Sequence, residues 1–174
     1  MLDERAQTGG EAPAHAEDMT PEQRREYRRR LAEVPHVAQD VVTLARMTEI
    51  WCADHHARAD RLPYDSEAVR AGAFPAAKVP LLCPDCAAHA RYGEYRRVMC
   101  PKDPKPSCRT CDVHCYSAEE SNWQRQSMAY AGPRAMFRGL FLEALRHLRQ
   151  DVLVGRRQDA ERRAQRDESR GQDY

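Results

Sequence analysis

Six of the chain's seven cysteines fall between Cys83 and Cys115, and two pairs among them have the Cys-x2-Cys spacing. They read Cys83-Pro84-Asp85-Cys86, then Cys100, then Cys108-Arg109-Thr110-Cys111 followed by Cys115, with Cys52 upstream beside His55 and His56. One tight turn aims both sulfurs of such a pair at a single ion, and a second turn completes the shell. A fold that must bring these turns together around a metal or cluster has little freedom left. The competing reading, buried apolar thiols, is weaker. Free cysteine does enter cores, but cores do not require it in paired turns beside proline and charge.

Geometry limits which sulfurs can meet. If Pro84 to Met99 is one straight helix, Cys86 and Cys100 lie roughly 20 Å apart and cannot share one ion. Cys108, Cys111 and Cys115 hang on a strap stiffened by Pro101, Pro104 and Pro106, which can reach either end of that helix. Three arrangements follow. Cys83 and Cys86 can join members of the Cys108–Cys115 group, which is the preferred arrangement. Cys100 can join Cys108, Cys111 and Cys115. Or an antiparallel pair of helices can set Cys52 beside Cys83 and Cys86, with one further ligand needed.

Spacing does not decide the metal. Four thiolates from two such turns suit zinc. Three thiolates in Cys108-x2-Cys111-x3-Cys115 have a density familiar from iron–sulfur proteins, although the full ferredoxin run is absent.

The rest of the chain is helical in pattern. Residues 1–18 have the composition of a disordered tail, 19–154 form the cysteine-rich domain, and 155–174 read as a charged tail. Thr20-Pro21-Glu22-Gln23 is a capping box opening a helix to about Val34, with Arg24, Arg25, Arg28, Arg29 and Arg30 along it. That basic run is better read as a solvated face than as a phosphate-binding one. Val37, Val41, Leu44, Thr48 and Trp51 recur at helical spacing and predict a helix over about His36 to His56. Cys52 and His56, four residues apart, share its last turn. The two histidines there suit either a helix C-terminus or a ligand role.

Residues 58–79 read as irregular, with a short helix near Ser66 to Ala71. Cys83-Pro84 opens a third long helix, Ser117-Ala-Glu-Glu120 a fourth ending at Gly132-Pro133, and Phe137, Phe141, Ala144, Leu145, Leu148 and Val152 mark the stripe of a fifth. No strand pattern is visible. The expected class is all-α, about four to five helices around a cysteine-rich site.

A net charge of +1 argues for neither a nucleic-acid nor a membrane partner. A mean hydropathy of −0.84 fits a chain with much solvated surface. The N-terminus has no apolar signal segment and no stretch has the length of a membrane span, so a cytosolic, thiol-reducing location is expected. His55-His56 has no nucleophile or carboxylate at a fixed spacing, which argues against hydrolytic catalysis, and a non-enzymatic role is the expectation. A thioredoxin-like redox pair would need a βαβ setting that the pattern lacks.

Together, Cys52 with His55-His56, Cys83-Pro-Asp-Cys86, Cys100-Pro101, Lys105-Pro-Ser-Cys108-Arg-Thr-Cys111-Asp-Val-His114-Cys115-Tyr116, Tyr130-Ala-Gly-Pro-Arg134 and Ala144-Leu-Arg-His147 resemble the nitrous oxide-stimulated promoter family of small bacterial proteins. The resemblance runs from about Val37 to Arg149. This chain departs from the pattern at Ala57, where glycine is expected, and in residues 58–79, which look like an insertion. The resemblance implies a cytosolic protein associated with nitrosative stress or iron–sulfur homeostasis, and it favours an iron–sulfur cluster over zinc. The alternative is a structural zinc module for a protein or nucleic-acid partner.

Overall fold

The computed structural model describes residues 18–102, 105, 111, 113, 115–138 and 145. Five helices and one small ribbon occur among them: α1 (Pro21–Glu33), α2 (Pro35–His55), β1 (Leu62–Pro63), α3 (Glu67–Arg70), β2 (Leu81–Leu82), α4 (Pro84–Val98) and α5 (Ala118–Ala135). The all-α class is as expected from the apolar spacing. The ribbon is a correction to the reading without strands: Leu62 pairs with Leu82 and Pro63 with Leu81, antiparallel. Two residues per strand are too few for an alternation to show in the sequence.

The capping box at Thr20 forms as its residues predict. Thr20 Oγ1 accepts from the Gln23 amide at 3.2 Å, and Gln23 Oε1 accepts from the Thr20 amide at 2.8 Å. Pro35 then ends α1 and opens α2, because the residue before a proline is pushed out of helical geometry; Val34 has φ −119° and ψ 87°.

Helix α2 is central and packs against α4 on one side and α5 on another. Its α4-facing stripe buries Val37, Val41, Ala45, Thr48 and Cys52. Ile50 and Met47 meet Ala131 and Ala135 of α5. The helices approach closely at Gly93 of α4, where an added Cβ would stand 3.0 Å from Leu44 Cδ2 and 3.4 Å from the Tyr116 hydroxyl.

Helix α5 departs from expectation at its end. It continues through Gly132-Pro133 to Ala135 instead of breaking there. Proline removes one backbone donor, but burial of Ala131 and Ala135 against α2 holds the last turn in place. As a result Phe137, expected to begin the buried stripe of a further helix, is 89 % exposed in the turn after α5, and Leu145 of the same stripe is also exposed. Phe141, Ala144, Leu148 and Val152 lie outside the described residues.

The middle of residues 58–79 packs on a buried carboxylate of α4. Ser66 caps α3 by accepting from the Val69 amide, in the place where a short helix is expected. Glu94 of α4 accepts from the hydroxyls of Tyr27 and Tyr64 and from the Ala68 amide. This one side chain therefore ties α1, the segment around Tyr64 and Ala68, and α4 together. Burial raises its carboxyl above the ordinary carboxylate range, against the pull of those donors.

Four of the five arginines in the basic run on α1 are held in ion pairs. Arg24 and Arg28 both reach Glu67, Arg29 holds Glu26 and Glu33, and Arg30 holds Glu26. Arg30 also donates to the carbonyls of Val98 and Cys100, covering acceptors left open at the end of α4. No helix among the described residues is long and apolar enough to cross a membrane.

Candidate metal centre

Helices α2 and α4 set the end of one beside the start of the other. Cys52 stands on the last turn of α2, and His56 follows as its extended C-cap residue, with φ −125° and ψ 152°. Cys83 is the N-cap of α4 and Cys86 lies in its first turn. The ligand atoms of Cys52, His56, Cys83 and Cys86 all lie within 4.8 Å of one another. His56 Nδ1 is 3.2 Å from both Cys83 Sγ and Cys86 Sγ. The Cys83 amide donates to Cys52 Sγ at 3.3 Å.

Local chemistry explains each placement. Pro84 suits the first helical position of α4, where no amide donor is needed. The ribbon delivers the chain into Cys83, and the Leu81 amide just before it donates to Glu49 of α2. Arg61 donates to the carbonyls of His56 and Ala57, fixing the chain as it leaves α2.

The three cysteines are buried and His56 forms the solvent-facing edge. Burial, with neighbouring thiols adding to it, pushes the Cys86 thiol well up, and burial likewise raises Cys52. A divalent cation is the natural counterweight: it favours the thiolate forms that burial disfavours. Three sulfurs and one imidazole nitrogen are a donor set suited to a tetrahedral ion. This group can therefore bind a metal.

The arrangement is the third of those open to the sequence, Cys52 beside Cys83 and Cys86, and the further candidate donor is His56. Cys100 lies past the C-terminal end of α4, with its carbonyl held by Arg30. The Cys115 carbonyl accepts from Tyr92 in the middle of α4. Cys111 and Cys115 are partly exposed and are not part of the four-residue group. Cys108 lies outside the described residues.

His55 is turned away from the sulfurs. Its Nδ1 donates to the Trp51 carbonyl at 2.9 Å, and its ring stacks on Trp51 at 3.9 Å. His89 carries no sequence signal of its own. It stacks on Trp123 at 4.1 Å, and its Nδ1 meets both oxygens of Glu120. The expected capping box at Ser117 thus forms its forward half, Ser117 Oγ to the Glu120 amide, while the Glu120 carboxylate goes to His89.

The family described as nitrous oxide-stimulated promoter matches residues 35–160 of this chain, well over half of it. The chain belongs to that family. All four residues of the metal group fall inside the match, whereas α1 lies outside it. The uncharacterized protein YgbA of Escherichia coli (strain K12) is 34 % identical over 77 residues, which cover 40 % of this chain and 65 % of that protein. The chain thus spans just under two thirds of that relative's length. No solved structure matches.

Proposed function

We propose that Cys52, His56, Cys83 and Cys86 hold a single zinc ion, and that the protein is a non-enzymatic metal–thiolate protein of the bacterial cytosol acting under nitrosative stress. The observation that carries this is the closeness of the four donors, all within 4.8 Å of one another. A tetrahedral ion with Zn–S of about 2.3 Å and Zn–N of about 2.0 Å draws its donors to about 3.5–3.8 Å of one another. An iron–sulfur cluster places several irons and bridging sulfides among its thiolates and spreads them further. The family description and the known attack of nitric oxide on metal thiolates support the stress role. The ion-paired arginines of α1 weigh against a nucleic-acid partner.

Metal and sulfide analysis of protein purified without oxygen tests this. One zinc per chain is expected, lost in Cys52→Ser and Cys86→Ser. Iron and acid-labile sulfide that disappear with those same two substitutions would overturn the zinc assignment.

A second centre is supported by the cysteines outside this group. Cys100, Cys108, Cys111 and Cys115 are four thiols within one short segment, enough to hold an iron–sulfur cluster. Sulfide that survives Cys52→Ser but is lost in Cys111→Ser and Cys115→Ser would identify it. Sulfide-free protein would remove it.

A further inference from the structure

The metal group is not equally sealed on all sides. An open hollow of about 490 Å³ lies over it, lined by His55, His56, Asp60, Cys83 and Asp85 among others. Cys83 is the only one of the three cysteines on its wall. Exposure follows the same order: 5 % for Cys83, 1 % for Cys86 and 0 % for Cys52. An incoming molecule therefore meets Cys83 first. Its neighbour Cys86 is three residues on, and both sulfurs sit 3.2 Å from the same His56 nitrogen.

We infer that Cys83 is a site of covalent modification, at which a small cationic disulfide enters the hollow and exchanges with the Cys83 thiolate; the inference rests on the metal-centre reading above. The hollow has room for a molecule larger than a peroxide. Its carboxylates, Asp60 and Asp85, are both exposed and favour a positively charged visitor.

The chemistry balances in two exchanges. The Cys83 thiolate attacks one sulfur of the disulfide, forms a mixed disulfide and releases one small thiolate. The Cys86 thiolate then attacks the Cys83 sulfur, forms the Cys83–Cys86 disulfide and releases the second small thiolate. Two protein thiolates are oxidised and one external disulfide is reduced. Only Cys52 and His56 remain to hold the metal, so it is released. An N-cap residue and the residue three positions on have Cα atoms about 5–6 Å apart, within reach of a disulfide.

The test uses the full chain loaded with zinc, cystamine as the probe, mass mapping of each cysteine after early quenching, and a colorimetric chelator for released zinc. Among Cys52, Cys83 and Cys86, the first adduct is expected on Cys83, roughly tenfold ahead of the other two. Zinc release should accompany the Cys83–Cys86 disulfide. Cystamine should react roughly tenfold faster than the anionic glutathione disulfide, and Asp60→Asn with Asp85→Asn should shrink that ratio. First modification at Cys52 or Cys86, simultaneous modification of all three, or equal rates for the two disulfides overturns the inference. A chain that takes up no zinc is recognised before any disulfide is added, and it overturns the metal centre instead.

Discussion

His56 Nδ1 and Cys83 Sγ stand 3.2 Å apart, joining the residue that leaves α2 to the residue that opens α4. Among the described residues few backbone bonds fasten these two ends, so an ion held there would carry much of their attachment. Ligand binding stabilises the folded state by about 4 kcal/mol when present at 1,000 times its dissociation constant. For a chain of this size, removing zinc with a chelator should therefore lower the melting temperature by about 10 °C. Differential scanning calorimetry before and after chelation checks this, and an unchanged melting temperature would remove the structural role.

The four ligands should not be equivalent. His56 lies at the edge, beside a hollow open to water, so in His56→Ala a water molecule can complete the tetrahedron. Zinc affinity should fall by more than the roughly 10- to 100-fold typical of losing an outer-shell partner, with stoichiometric binding kept at high zinc. Cys52 is fully buried, and Cys52→Ser leaves a weaker ligand that solvent cannot replace. Its zinc should be lost outright. Competition with a chromophoric chelator measures both, and equal affinities in the two variants would contradict the asymmetry.

The α1 arginines give a prediction of a different kind. Of the five, Arg24, Arg28, Arg29 and Arg30 have carboxylate partners, two of them sharing Glu67, and Arg25 is exposed. Little of their charge is left to displace counterions from a phosphate backbone. Binding to generic duplex DNA should be weaker than about 10⁻⁴ M at physiological salt. Fluorescence anisotropy over a salt series would detect the tighter, steeply salt-dependent binding that would reverse this view.

How far the sequence goes is clearest at these same residues. Thr20, Pro21, Ser66, Pro84 and Ser117 act locally, each within a turn of its own position, so the helix starts at or next to them could be read directly. The choice among three cysteine arrangements was not local. It depended on α2 and α4 packing antiparallel, and nothing in either helix alone specifies its partner. His56 shares a turn with Cys52 and was visible as a candidate, but its preference over His55 comes from the stacking of His55 on Trp51. Glu94 looked like one more charged position on a helix. Its burial depends on Tyr27 and Tyr64, 67 and 30 residues away in sequence, which donate to it.

Glu94 also sets a pH dependence whose sign differs from that of most carboxylates. Burial raises its carboxyl in the folded protein above the ordinary value of 4.5. The folded state therefore holds this proton more tightly than the unfolded chain does, and stability falls as pH rises wherever that holds. Its contribution is fullest below pH 4.5 and is lost as pH climbs through the raised folded value. Glu94→Gln removes the titration while keeping an acceptor for the Tyr27 and Tyr64 hydroxyls. The stability of the wild type relative to Glu94→Gln should decline with increasing pH above the ordinary carboxylate range, as read by urea denaturation at a series of pH values. Glu94→Ala leaves the buried Tyr27, Tyr64 and Ser66 hydroxyls without this acceptor and should cost about 3 kcal/mol. A wild type that gains stability over Glu94→Gln as pH rises would mean that the hydrogen-bond donors around Glu94 outweigh burial and hold the carboxylate ionised.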